Sequence, residues 1–247
     1  MSETSQSVRA GQFELASCQA TVFTPEGDLS VPKLLKTVVP GWLDVFDGDP
    51  VVLPHAEAIP REIEIPRLTL LSKAGAWRCE FAPTRLNIHY TIAAAPEPAT
   101  PTISSFLDDC TTRFQEYQRA TGARIARLAV VTTRYARHDT PGRYLAGHFC
   151  KPAWLSGALN RPESFELHAH KRFTMGGKFF VNSWVRSKTG TATIAGKTDP
   201  IVLVEQDLNT LAEDLPTRAF SAADVAEFYA AAARELDHII AMYYPEN

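Results

Sequence analysis

The sequence predicts an α+β fold: a large curved antiparallel sheet or sheets with two long amphipathic helices, divisible into two similar strand-meander-plus-helix halves. Three observations lead there. Short stretches alternate apolar and polar residues between turn residues, the period of half-buried strands. Two longer stretches, around residues 103–117 and 225–243, place their apolar residues on one helical face. Each of these follows a run of strands, an order that suits α+β packing better than alternating βα units.

Along the chain, residues 1–12 read as a disordered polar tail, and 13–247 as a single α+β domain. F-E-L-A-S-C-Q-A-T-V-F (13–23) alternates as a first strand. Residues 24–65 hold six prolines and many acids and read as an irregular Pro-rich arm with a short helix, because proline interrupts helices and central strands. Two strands around a turn at Ser72–Gly75, then L-N-I-H-Y-T-I after A-P-T-R, make a three-stranded meander. The A-A-A-P-E-P-A-T-P linker opens a helix with Ile103, Phe106, Leu107, Cys110, Phe114 and Tyr117 on one face and Gly122 as its stop. R-I-A-R-L-A-V-V-T-T-R-Y is a strand, and Ala136 to Pro162, with three prolines and three glycines, reads mostly as loop. Gly176–Gly177 reads as a two-residue hairpin turn, since both tolerate positive φ. T-D-P-I-V-L-V-E-Q-D-L gives one more strand. The last helix has an N-cap at Ser221 with Asp224 three residues on, and Phe220 with Val225 form a hydrophobic staple. The halves are placed at 66–122 and 123–244.

The order of P-R-L-T-L-L-S, W-R-C-E-F-A-P-T-R-L-N-I-H-Y, R-L-A-V-V-T-T-R-Y and V-L-V-E-Q-D-L before the last helix resembles a sporadically distributed bacterial family of proteins of unknown function. The resemblance runs from about Pro66 to the C-terminus and rests on structural pattern rather than on catalytic motifs. It implies one compact α+β unit. The patchy distribution of that family implies a place beside other genes in a cassette of a defence type.

The chain of 247 residues is 45% apolar, enough for a substantial core. No apolar run is long enough for a membrane span, and the first residues lack the apolar core of a signal peptide, so a cytoplasmic protein is expected. Cys18, Cys79, Cys110 and Cys150 are scattered without a C-x-x-C pair, which suits a reducing compartment and argues against structural zinc. The net charge of −3 hides a split. From Arg124 to Lys197 there are 13 Lys and Arg against Asp139, Glu163 and Glu166, a balance of +10; the rest of the chain stands at −13. Either an anionic partner binds the middle, or acidic and basic regions pair internally.

Cations interleaved with aromatics fall in that middle. Arg134, Arg137, Arg143, Lys151 and Arg172 would supply charge, and Tyr135, Tyr144 and Trp154 stacking or anchoring area. Such a set fits nucleic acid or an acidic protein surface, with no cofactor; self-association is left open. The H-A-H of F-E-L-H-A-H-K-R-F raises a second reading, a metal-dependent enzyme on His168 and His170 with His148, Cys150 or Glu166 as third ligand. With a two-residue turn, Phe173 would face Phe180, Ala169 Trp184, His170 Ser183 and His168 Val185. The histidine face would then also hold Glu166, Arg172, Phe179 and Val181. A pocket lined by Phe179, Val181 and Val185 is a third reading. Glu205 and Asp207 could form a carboxylate pair, although exposure on a strand end explains them as well. No phosphate loop, dinucleotide fingerprint or G-x-S-x-G occurs. The expectation is therefore a non-catalytic binding or accessory protein.

Overall fold

The computed structural model describes residues 7–25, 29–53, 64–92, 100–157, 159–194 and 196–246. One antiparallel sheet of nine strands runs through it. In chain order these are β1 (Glu14–Phe23), β2 (Val51–Val52), β3 (Leu68–Leu71), β4 (Trp77–Ala82), β5 (Arg85–Thr91), β6 (Arg127–Arg137), β7 (Glu166–Met175), β8 (Phe179–Ile194) and β9 (Lys197–Thr210). Five helices accompany them: α1 (Val31–Thr37), α2 (Ile103–Thr121), α3 (Pro141–Phe149), α4 (Pro152–Leu155) and α5 (Ala222–Tyr243). Across the sheet the order is β2-β3-β4-β5-β1-β6-β9-β8-β7.

The first strand sits at the centre. β1 pairs with β5 on one side and with β6 on the other, the latter from Glu14↔Tyr135 to Phe23↔Arg127. On one sheet face Cys18, Ala20, Val22, Leu86, Ile88, Leu128, Val130, Val204, Leu208, Val181 and Val185 are buried, and α2 and α5 contribute Phe106, Phe114, Phe228, Tyr229 and Leu236 to the same core. α2 and α5 also contact each other, so one continuous core lies under both. The Tyr229 hydroxyl is fully buried and donates to the Thr21 carbonyl at 2.8 Å, tying α5 to β1.

Helix ends follow the local chemistry. Thr102 accepts from the Ser105 N–H, and Gly122 closes α2 at φ 75°, the left-handed value a glycine meets without strain. Ser221 and Asp224 make both bonds of a capping box at α5, and Phe220 and Val225 are buried as a staple should be. The segment read as loop between β6 and β7 instead holds α3 and α4. Pro141 and Pro152 occupy first-turn positions, where the missing N–H costs nothing and the fixed φ suits a helix.

The hairpin of β7 and β8 differs from the two-residue turn. Gly176, Gly177 and Lys178 form a three-residue loop closed by Lys178 N–H to the Met175 carbonyl at 3.2 Å, so Met175 pairs with Phe179. A one-residue slip turns every side chain of a strand to the other face. His168 therefore lies opposite Arg186, Ala169 opposite Val185, His170 opposite Trp184 and Phe173 opposite Val181. Phe179, Val181 and Val185 are core residues on the helix-covered face, and the histidines keep polar company on the other. Of the pocket expected along those three side chains, Phe179 and Val181 are packed core, while Val185 lines a small cavity beside α5.

The arm after β1 is only partly irregular. Trp42 and Phe46 are fully buried; Trp42 stacks on Phe81 at 5.6 Å and its indole N–H donates to Glu116 of α2 at 2.7 Å. Residues 26–28 and 54–63 of the arm, and 93–99 of the linker, lie outside the described residues. So do residues 1–6 of the expected tail, whereas Val8 is buried and Ala10 N–H donates to the Tyr244 carbonyl at 2.9 Å. Gly11 N–H meets Glu246 at 2.8 Å, so both ends of the described chain lie together.

Two outcomes are expected. Trp42→Ala should lower unfolding free energy by about 3–5 kcal/mol in a denaturant titration, the range for emptying a buried aromatic site. Hydrogen bonds from Lys178 and Ser221 hold Asp224 down to about 2, and the His89 bond holds Glu80 down to about 2. Carboxylates depressed in the folded state stabilise it fully above their unfolded pKa and lose that contribution as pH falls through the folded one. Melting temperature should thus fall as pH drops from about 4.5 towards 2, less steeply in Asp224→Asn, as scanning calorimetry would show.

Candidate functional site

Side chains of a strand alternate between faces, so the sheet has a second face, away from α2 and α5. Its rows follow from the register: His170, Trp184, Asp207, Val131, Gln19 and His89 lie in one, and Arg172, Asn182, Asn209, Ala129, Thr21, Asn87 and Glu80 in the next. Polar groups on this face bond laterally. Asn209 accepts from Asn182 at 3.1 Å and from Arg127 at 2.9 Å, and donates to Asp207 at 2.8 Å. Arg172 donates to Asn182 and to Glu213, each at 2.8 Å, and Arg186 pairs with Glu205. Towards the other edge, Gln19 donates to Thr21, Thr21 to Asn87 at 3.0 Å, and Asn87 to Glu80 at 3.3 Å.

Asp207 was readable only as a strand-end carboxylate. In the structure β9 continues to Thr210 between β6 and β8, so Asp207 sits within a central strand. Burial raises its pKa above the ordinary aspartate value, against the opposing bond from Asn209 and the charges of Arg127 and Arg186. Glu205, the other half of the suggested pair, is engaged by Arg186.

The eight interface candidates separate into three groups. Arg134 is 8% exposed and points under α5, where its guanidinium meets Asp237 at 2.6 Å. Tyr135 and Tyr144 are also buried. The Tyr135 hydroxyl donates to Glu14 at 2.6 Å, and burial followed by that carboxylate pushes its pKa to about 12. Tyr144 donates to the Val8 carbonyl at 3.0 Å and stacks between His138 and His148, with centroids at 4.8 and 5.6 Å. These three belong to the interior rather than to a groove. Arg137 and Arg172 reach the surface but pair with Asp199 at 3.8 Å and Glu213 at 2.8 Å. Arg143, Lys151 and Trp154 remain exposed on α3 and α4, Trp154 at 55%.

Beside Arg143 opens a cleft of about 590 Å³ whose walls include Asp139, Arg143, Arg161, Glu163, Thr189 and Thr191. Its floor is set by a close approach: a Cβ on Gly142 would lie 2.4 Å from the Pro162 carbonyl oxygen, so only glycine lets α3 pack there. Arg161 adopts φ 54°, a left-handed value that costs a side-chain-bearing residue about 1 kcal/mol or more.

The histidines are each engaged separately. His168 Nε2 lies 2.7 Å from Glu166, and the His170 ring stacks on Trp184 at 4.1 Å with Nε2 3.3 Å from Asn182. His148 stacks almost parallel on Tyr244 at 5.2 Å, its Nε2 2.7 Å from the Tyr243 carbonyl. Among the described residues no group of three or more His, Cys, Asp or Glu is placed to hold a metal ion. Cys18, Cys79 and Cys110 are free and buried, and burial pushes each thiol well up, away from the reactive thiolate. No helix among the described residues is long and apolar enough to cross a membrane.

For Asp207, a pKa raised by folding means that its contribution is fully present below the unfolded pKa and is lost as pH rises through the folded one. Asp207→Asn should therefore gain stability relative to the parent at about pH 7 and lose that advantage at about pH 3, in paired urea titrations. Comparison of the chain with family models, with curated proteins and with solved structures returned no match.

Proposed function

We propose that this chain is a non-catalytic binding protein that engages an acidic protein surface through α3 and α4. The observation that carries this reading is the placement of Arg143, Lys151 and Trp154 on one exposed stretch of the basic middle, whereas Arg134, Tyr135 and Tyr144 are buried. Arg and Trp are the side chains that most often anchor protein interfaces, since each combines apolar area with directed donors. Asp139 and Glu163 share the adjoining cleft with Arg143 and Arg161. Mixed signs suit a protein partner better than a continuous phosphate track, which rewards unbroken positive charge.

The architectural side of the proposal is duplication. Outward from the centre, β1, β5, β4 and β3 are followed in the chain by α2, and β6, β9, β8 and β7 by α5, with the same connectivity on both sides. That order supports two copies of one unit related by the antiparallel β1–β6 pair.

Fluorescence anisotropy with labelled Glu-rich peptide and with labelled single- and double-stranded DNA and RNA, at about 50 and 200 mM salt, tests the interface. Peptide binding that weakens about tenfold or more in Arg143→Glu with Lys151→Glu, and again in Trp154→Ala, is the expected result. Salt-steep nucleic-acid binding through the same residues would move the reading to nucleic acid. Binding of neither would overturn it.

A further inference from the structure

The arm and the opposite end of the sheet invite comparison, on the two-unit reading above. In the first unit, the arm lies in the groove between the edge strands and the C-terminal half of α2. Trp42 and Phe46, four residues apart, fill it: Trp42 against Phe81 and Glu116, Phe46 beneath the Arg113 guanidinium at 5.9 Å. Acidic neighbours hold the arm's flanks. Asp44 lies 3.5 Å from Arg113, and Asp47 accepts the Lys73 N–H at 2.8 Å. Gly48 passes so close to β3 that a Cβ would meet the Leu71 carbonyl oxygen at 2.7 Å. Val51 and Val52 then add a short strand to the β3 edge, and Leu68 and Leu70 of β3 are fully buried.

The second unit has a corresponding groove that no segment among the described residues fills. Its walls are Ala169 and Lys171 of β7, Val185 of β8, and Ile239, Met242 and Tyr243 of α5, enclosing about 230 Å³. The Ala169↔Val185 pair lies under the end of α5 as Leu68↔Phe81 lies under the end of α2, where Phe81 meets Tyr117. Met242 is 51% exposed, and Ala169 and Lys171 are not buried. No strand pairs with the outer edge of β7 among the described residues. Lys171 is the charged side chain of the lining, which holds no carboxylate.

We infer that the groove between β7 and α5 is a docking site for an extended segment of a partner protein. That segment carries an aromatic or large apolar anchor with acidic neighbours, the chemistry the arm supplies to the first unit. The anchor enters between Val185 and Met242, an acidic side chain meets Lys171, and the backbone lies along the β7 edge, the geometry of strand addition. Lys171 does double duty: an inward-leaning lysine on an edge strand also deters indiscriminate pairing, so the acidic neighbour is part of the recognition. A second copy of this chain fits less well, because antiparallel pairing of β7 with itself about Lys171 sets Lys171 against Lys171 and His170 against Arg172.

The probe is a labelled peptide with the sequence of residues 38–50, V-V-P-G-W-L-D-V-F-D-G-D-P, titrated with the full-length protein. Saturable binding is expected, weakened about tenfold or more by Met242→Arg or by Lys171→Glu, and abolished when the peptide's two aromatics become alanine. Both substituted side chains are exposed, and unchanged melting curves would confirm that the variants fold. Arg143→Glu with Lys151→Glu should leave this binding within about twofold, which separates it from the α3–α4 reading. Absence of saturable binding, or binding indifferent to Met242 and Lys171, would overturn the inference. A wild-type dimer in sedimentation that Met242→Arg dissociates would also overturn it, assigning the groove to a second copy.

Discussion

The antiparallel pairing of β1 with β6 is the constraint on which the rest of the structure hangs. It joins residues 14–23 to 127–137 over more than 100 positions of chain, and every other strand is added outward from one of these two. The entropy of closing that loop is recovered only when the core on one face is complete. Tyr229 of α5 marks the junction, since its hydroxyl donates to the Thr21 carbonyl of β1 and lies 3.4 Å from the Ala129 carbonyl of β6. Folding that depends on such distant contacts is slow by comparison with a helical bundle of equal size.

Charge is arranged by the same long-range logic. The basic middle finds its acids chiefly in β9 and α5 rather than in the arm: Arg134 with Asp237, Arg186 with Glu205, Lys178 with Asp224 and Glu227, Arg172 with Glu213 just beyond β9. Of the arm's own acids, Asp44 turns to Arg113 of α2, Asp47 to Lys73 in the β3–β4 turn and Glu64 to Arg85 of β5. Most of these pairs are exposed and individually weak, so they settle register and solubility more than stability. Arg134 differs, being nearly buried, and loss of Asp237 would leave a charge without compensation.

How much was legible followed from the range of the interactions. The α+β class, the β3–β5 meander, the Gly122 stop and the Ser221 capping box are written in neighbouring residues and could be read directly. The hairpin was misjudged by one residue because Gly-Gly signals a two-residue turn while the chain also uses Lys178, and that single step exchanged core for surface along β8. Pro141 and Pro152 read as breakers but serve as first-turn residues of helices. The site was less legible still. Nothing near Arg134 announces Asp237, and nothing near Asp207 announces burial between β6 and β8. Arg143, Lys151 and Trp154 could be singled out by composition, yet their exposure depends on how α3 lies over the sheet.

The meeting of the two chain ends has a consequence for topology. Ala10 is bonded to Tyr244 and Gly11 to Glu246, and both segments rest on the His148–Tyr244 stack beside α3. A short linker could therefore join the segment at Ala10 to the segment at Glu246 without stretching either. Ends that lie together are the geometric condition for circular permutation. The chain could then be opened between α2 and β6, and the β1–β6 pair would still join strands more than 100 positions apart. The distant encounter at the centre of the sheet therefore belongs to the strand order itself and not to where the chain is cut.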